Sequence, residues 1–419
     1  MLKASALYIV IIIALVIGIL CSAVIVAAYF YRNEYQKKFR YDRLENNVSS
    51  GINILLAGAD TSNSAGSVFS LFNNDADSVS LKRLSWGLYD VGIVKAFDQK
   101  DTLYKTLMIG HTVDSSKWAA LYMADREYPL SLSGKTIIKG NAWLPKSGIT
   151  EAYIDNKAYE GDKGLVIGHK YTSDKNLPPL DSNRLTQMAL LFSGKRPGDS
   201  SINKDSICNS FLSDTRVFNM GKKIDTLKSV TLAGNVIIRS DTTILIDSSA
   251  TLDNVMVFAK SIFVKPGFHG KCQLYATDSI GISQKCQFTY PSCIGIVSYK
   301  PSPGLSPQIK IDSNTTFTGI IFTYKKYKGT NSTIIEIGKN VTISGQIYAQ
   351  ESLKFTDSSV ISGSVFAGDL LYKKDFKFFR GYLIDAHFNV NLLSPYYLTS
   401  GLIPVAAKKK KVLQWLESN

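Results

Sequence analysis

Apolar and polar positions divide the chain into regions of different period. Between Lys3 and Arg32 lie 28 residues without a charge, with ALYIVIIIALVIGILCSAVIVAAYFY at their heart. As helix at about 1.5 Å per residue this run reaches about 42 Å, more than the roughly 30 Å of a bilayer's hydrocarbon core. Tyr29, Phe30 and Tyr31 suit an aromatic belt at its far end. A cleaved signal peptide has an apolar stretch of only about 7–15 residues, so the length predicts a retained single membrane span. Leu44, Val48, Ile52 and Leu55 follow at helical steps, which predicts that the helix leaves the membrane as a stem with one apolar stripe.

Five basic residues, Arg32, Lys37, Lys38, Arg40 and Arg43, follow the span with Tyr35, Phe39 and Tyr41 among them. Such a stretch either touches anionic headgroups or forms a solvated helix face. Counting positive charges on the two flanks places the body in the cytoplasm. The N-terminus, however, resembles that of type IV pilins and pseudopilins. Lys3 and Ala4 stand where that family has a basic and a small residue at a cleavage point, and Leu7 matches its apolar third position. Ala4 replaces the family's glycine, and Ile9 stands where those proteins carry a glutamate. The resemblance covers about the first 55 residues. It implies a helical stem, a globular head and an extracytoplasmic body, the orientation preferred here.

From about residue 225 short apolar stretches alternate with Ser, Thr, Asn, Asp and Gly. Aligning ILIDSSATL, IFVKPGFHG, IGISQKCQF, IKIDSNTTF, IEIGKNVTI and LKFTDSSVI brings Ile246, Val264, Ile282, Ile311, Ile337 and Phe355 into one column, at intervals of 18, 18, 29, 26 and 18 residues. Two residues earlier the column is always Ile or Leu; six later it holds Leu252, Gly270, Phe288, Phe317, Ile343 and Ile361. Even offsets put these side chains on one side of an extended chain, and stacked copies bury a continuous core. This predicts a β-helix, a solenoid of about 18-residue coils, with the longer intervals as corner loops. Gly319, Gly345 and Gly363 recur eight residues after column positions, which suits corners of positive φ. The outward position reads Leu245, Phe263, Gly281, Lys310, Glu336 and Lys354, apolar early and charged late, so a covering segment is expected over Phe263. Accidental spacing in a β-sandwich is the competing account.

A coil of this length behind a membrane segment resembles the bactofilins, bacterial polymer-forming scaffolds, over about residues 225–372. That likeness implies end-to-end stacking without a nucleotide, whereas Lys373, Lys374, Lys377 and Arg380 would place charge on the open edge. Left-handed β-helix acyltransferases share the coil length but use a catalytic histidine, and His269 is the only histidine in these coils.

The expected organisation is therefore mainly β. Residues 1–56 form the transmembrane and stem helix, 57–225 a strand-rich middle domain, 226–380 the β-helix, and 381–419 a C-terminal segment with a basic tail. In the middle, NRLTQMALLF is predicted helical with Asp181 or Ser182 as its cap. The tail, Lys408 to Lys411 and then VLQWLESN, reads as a membrane-surface or docking segment, or as a solvated end.

A net charge of +14 favours acidic surfaces without naming one. Four scattered histidines and cysteines without zinc spacing argue against a metal site. Ser133–Thr136 spells the end of a phosphate loop, but Pro129 replaces its first glycine. Asp247, Asp312 and Asp357 recur near the repeat, coils apart, and read as turn residues rather than a catalytic pair. Four Asn-x-Ser/Thr patterns, at Asn47, Asn314, Asn331 and Asn340, read likewise as turn chemistry. On the 18-residue register Cys272 would stack near Tyr290 and Cys293 near Tyr275. Together these readings point to a non-enzymatic, membrane-anchored envelope protein without cofactor or metal. Its expected partners are membrane lipid, other membrane helices or envelope proteins, and a polysaccharide or surface ligand, but no nucleic acid. A cytoplasm-facing scaffold of bactofilin type and a carbohydrate-active β-helix enzyme are the alternatives.

Overall fold

In a computed structural model of the protein, the uncharged run and the stem form one helix, α1 (Leu2–Ala57), which contains no proline. The structure describes residues 2–58, 67–71, 77–98, 101–193, 198, 202, 205–221, 224–299, 306–327, 331–356, 358–374 and 377–418. Beyond α1 the chain is mainly β. It folds as two compact units, one of Met1–Leu84, Gly92–Leu107 and Glu417–Asn419, the other of Ser85–Val91 and Met108–Leu416.

In the first unit the stem stripe of α1 is buried: Leu44, Val48, Ile52 and Leu55 are at most 7% exposed. Gly51 marks how closely helix and strands approach, since a Cβ there would come within 2.8–3.1 Å of Val94, Leu81 and Val79. Burying each such aliphatic side chain contributes about 1.5–3 kcal/mol. Strands Ser67–Phe69, Asp77–Trp86, Tyr89–Asp98, Asp101–Val113 and Ala406–Ser418 pair in that order, and residues 85–86, 89–91, 108–113 and 406–416 of these strands belong to the second unit. The basic tail is thus a strand, not a solvated end. Its backbone finds partners along Asp101–Val113: Thr112 Oγ1 donates to the Lys409 carbonyl at 3.1 Å. The lysine stems can lie along the strand while their charged ends reach water.

The second unit is built from strands that pair mostly in parallel and close on themselves. Ile246 is opposite Val264, Val264 opposite Ile282, Ile282 opposite Ile311, Ile311 opposite Ile337 and Ile337 opposite Phe355. All six are at most 2% exposed. The Ile244 column runs likewise through Ile262, Ile280, Ile309 and Ile335 to Leu353. Gly319, Gly345 and Gly363 have φ of 146°, 144° and 146°. A Cβ on Gly363 would lie 1.8 Å from the Gly345 carbonyl oxygen, so only glycine lets these corners stack.

Two expectations give way. The stack does not end at a charged edge near Tyr372, because residues from both sides of it in sequence continue it. Ser359–Ile361 pairs with Ala386–Phe388, and Val365–Ala367 with Leu121–Met123, while Leu121 faces Ala142 and Ala142 faces Lys170. The stretch 57–225 is accordingly distributed: 121–172 supplies rungs beyond Tyr372, and 206–227 supplies rungs before Ile244. Second, Phe263 is 45% exposed, so no segment covers it; its ring lies over Gly281 of the next rung instead. A register shift between Gly270 and Gln273 sets Cys293 opposite Gln273, and the thiol still lies close enough to Tyr275 to act on its hydroxyl. All five cysteines are free thiols.

Candidate functional site

Two surfaces stand out. The first is the N-terminal half of α1, the one helix among the described residues long and apolar enough to cross a membrane. From Leu7 to Tyr31 its large apolar side chains point outward, Ile9 at 53% and Val24 at 68% exposed. A continuous apolar surface of this length is not stable in water and marks contact with lipid or other apolar helices.

The five basic residues beyond it do not share one environment. Arg32 and Lys38 are exposed, and Lys37 lies 4.0 Å from Glu34 on the same helix. Arg40 Nε donates to Asp101 Oδ2 at 2.9 Å, and Arg43 Nε lies 3.5 Å from Asp98, whose carboxylate is buried. Thus Arg40 and Arg43 tie α1 to the strands of its own unit. Deeper on the same face Asn47 Nδ2 donates to Asp77 Oδ2 at 2.8 Å, both residues buried. Burial of Asn47 also removes that Asn-x-Ser site from solvent. An open groove lies beside this cluster, lined by Tyr31, Tyr35, Lys38, Tyr41, Asp101 and Leu103 among others.

The second surface is a column of aromatic side chains on the outer side of the stacked rungs. Phe258 faces Tyr275, and after Gly295 the column continues through Phe322, Tyr348, Phe366, Tyr122 and Trp143 to Tyr171. Gly295 leaves space that the Phe322 ring fills, since a Cβ there would stand 2.3 Å from it. The first part of the column, from Phe258 to Tyr348, meets helix α2 (Ser182–Ser193) and the segment before it. Asp181 caps α2, its Oδ1 accepting from the Arg184 amide at 2.7 Å. Phe192 lies 4.9 Å from Phe258 and 6.5 Å from Tyr275; Tyr348 donates to the Pro178 carbonyl at 3.0 Å. Turn residues 85–91 cover the neighbouring column: Leu88 N donates to Gln273 Oε1 at 3.0 Å, and Arg184 pairs with Asp90 at 2.8 Å. The last two rungs emerge from this cover, with Trp143 half-buried and Tyr171 44% exposed.

Sequence reading missed the aromatic column, because its members come from distant segments, Phe366 and Tyr122 being 244 residues apart, in an order that only the stack reveals. The remaining candidates stay apart from both surfaces. Asp247 accepts from Lys265 Nζ at 2.8 Å and from Ser249, which holds its carboxyl far below the usual carboxylate range. Asp312 sits at a turn, Asp357 lies outside the described residues, and His269 is an exposed strand-end residue. Asn314 and Asn340 occupy left-handed turn positions, φ 56° and 54°. Among the described residues no cluster of His, Cys, Asp and Glu could hold a metal ion.

Comparison with known proteins adds little. No family model matches the chain. No curated protein matches it. Among solved structures it is similar to the competence-associated pilin ComZ from Thermus thermophilus, at 9% identity over 84% of this chain and 86% of that one, with a TM-score of 0.26. A score that low falls below what a shared fold gives.

Proposed function

We propose that the protein is a membrane-anchored, pilin-like subunit of the cell envelope, with a β-helix body that acts as a structural or adhesive surface and carries no catalytic centre. The observation that carries this reading is the division of α1 into two halves. One half is uncharged and fully outward-facing, and the other is striped and buried on the strands of its own unit. A stem of this construction is fixed to the strands of its own unit, while its other end is open to lipid or to other apolar helices. The parallel partners at 18-residue spacing, repeated from Ile246 to Ile282 and from Ile337 to Phe355, support reading the body as a β-helix. Its partners on this reading are membrane lipid and other envelope helices.

Membrane fractionation tests the anchor. The full chain should stay in membranes washed with alkaline carbonate, with residues 5–31 still present by mass. A chain without residues 2–31 should appear in the soluble fraction. Release of the full chain by the carbonate wash, or loss of residues 5–31 from it, would contradict the reading.

A further inference from the structure

The aromatic column has an uncovered end. Trp143 and Tyr171 stack at 4.7 Å between centroids with ring planes 23° apart, and Tyr122 lies 6.2 Å below Trp143 at 19°. Near-parallel rings on successive rungs expose their edges along the sheet and their faces only at the end of the column. Tyr171 is the last ring, stacked on Trp143 on one side and 44% open to solvent. Beside it runs a polar column. Asn141 and His169 occupy adjacent rungs on the same face as the rings, with the His169 amide donating to Asn141 Oδ1 at 3.3 Å and the His169 ring 6.3 Å from that of Tyr171.

From this placement we propose that the Trp143–Tyr171 end of the column is a binding platform for a neutral glycan, with a pyranose ring laid on Tyr171 as the next member of the stack. A pyranose presents a flat C–H face and a rim of hydroxyls. The open face of an electron-rich ring matches the first, and Asn141 and His169 beside it match the second. Charge decides against a polyanion. Residues 139–175 carry six lysines (139, 146, 157, 163, 170, 175) and five carboxylates (151, 155, 160, 162, 174), a near balance within a chain of net charge +14. A surface built to hold phosphates or uronates concentrates positive charge, and this one does not. The proposal deepens the reading of the body as an adhesive surface, yet its test needs no membrane and no particular orientation.

The test is calorimetric titration of the full chain, held in a detergent without a sugar headgroup, with maltohexaose, cellohexaose and chitohexaose, and with polygalacturonate and single-stranded DNA as polyanions. At least one neutral hexasaccharide should bind. Tyr171→Ala should weaken that binding about tenfold or more, the equivalent of one lost ring contact. Tyr171→Phe, which keeps the ring, should hold it within about threefold. No binding by any neutral hexasaccharide, equal binding by Tyr171→Ala, or tighter and salt-sensitive binding of either polyanion would overturn the proposal. Because Tyr171 is surface-exposed its truncation leaves the core intact, and far-ultraviolet circular dichroism of the variant checks that directly.

Discussion

At the scale of single residues, the corner glycines show how backbone and packing act together. Gly345 has φ 144°, and a Cβ there would stand 1.9 Å from the Gly319 carbonyl oxygen. Gly148 also has positive φ, 79°, but has nothing within 4 Å of a Cβ position. Gly148→Ala should therefore cost only about 1–2 kcal/mol of backbone strain. Gly345→Ala adds a collision with the rung below and should cost more than about 3 kcal/mol, read by chemical denaturation. Equal costs would mean that the corners do not stack. These glycines were legible in the sequence because they sit at a fixed offset from the apolar column. The exposed Phe263 was misread, since an outward phenylalanine can be satisfied by lying across a glycine neighbour and needs no covering segment.

His111 is a second residue-scale case. Burial holds its imidazole below the usual histidine range; the Ala407 carbonyl, 2.9 Å from Nδ1, opposes this, and Lys410 adds to the lowering. With the folded pKa below the unfolded value of about 6.5, the unfolded chain takes up the proton first as pH falls. His111 stability is therefore complete above about pH 6.5 and is lost as pH drops below it. Replacing His111 by Gln should flatten the fall in melting temperature between about pH 7 and 5; an unchanged slope would count against a buried neutral imidazole.

At the scale of elements, α1 was readable because its two halves differ in kind, an unbroken apolar run and then a stripe of helical period. The polar contacts that fix the stem left no such trace. Asn47 and Asp77 are buried partners 30 residues apart, and no periodic pattern links them. Asn47→Leu should destabilise the first unit by about 1–3 kcal/mol by leaving the Asp77 carboxylate without that donor, while Lys38→Ala, on the exposed face, should stay within about 0.5 kcal/mol. Hydrogen exchange of the Asp77–Trp86 amides would register the difference. Strand Ala406–Ser418 was read as a basic tail for a related reason. Strand formation there depends on a backbone edge supplied by Asp101–Val113, almost 300 residues earlier, which no local pattern records.

At the scale of the whole molecule, the 18-residue period made part of the stack visible between 244 and 355, where each rung follows the last in sequence. Beyond Tyr372 the rungs come from residues 382–389 and 121–172, in strands of only three or four residues, too short for a period to show. This same long-range assembly creates the aromatic column and its open end. On the proposed reading, the apolar half of α1 is held in the membrane with the body outside the cytoplasm. Cys208 offers a native probe, an exposed thiol on the body, whereas Cys272, Cys286 and Cys293 are buried and Cys21 lies in the apolar half of α1. The most direct measurement is labelling of spheroplasts, with the cytoplasmic membrane sealed, by a membrane-impermeant maleimide. The account predicts that the wild-type chain is labelled without lysis and that Cys208→Ser abolishes the signal. Labelling of Cys208 only after the membrane is opened would contradict it.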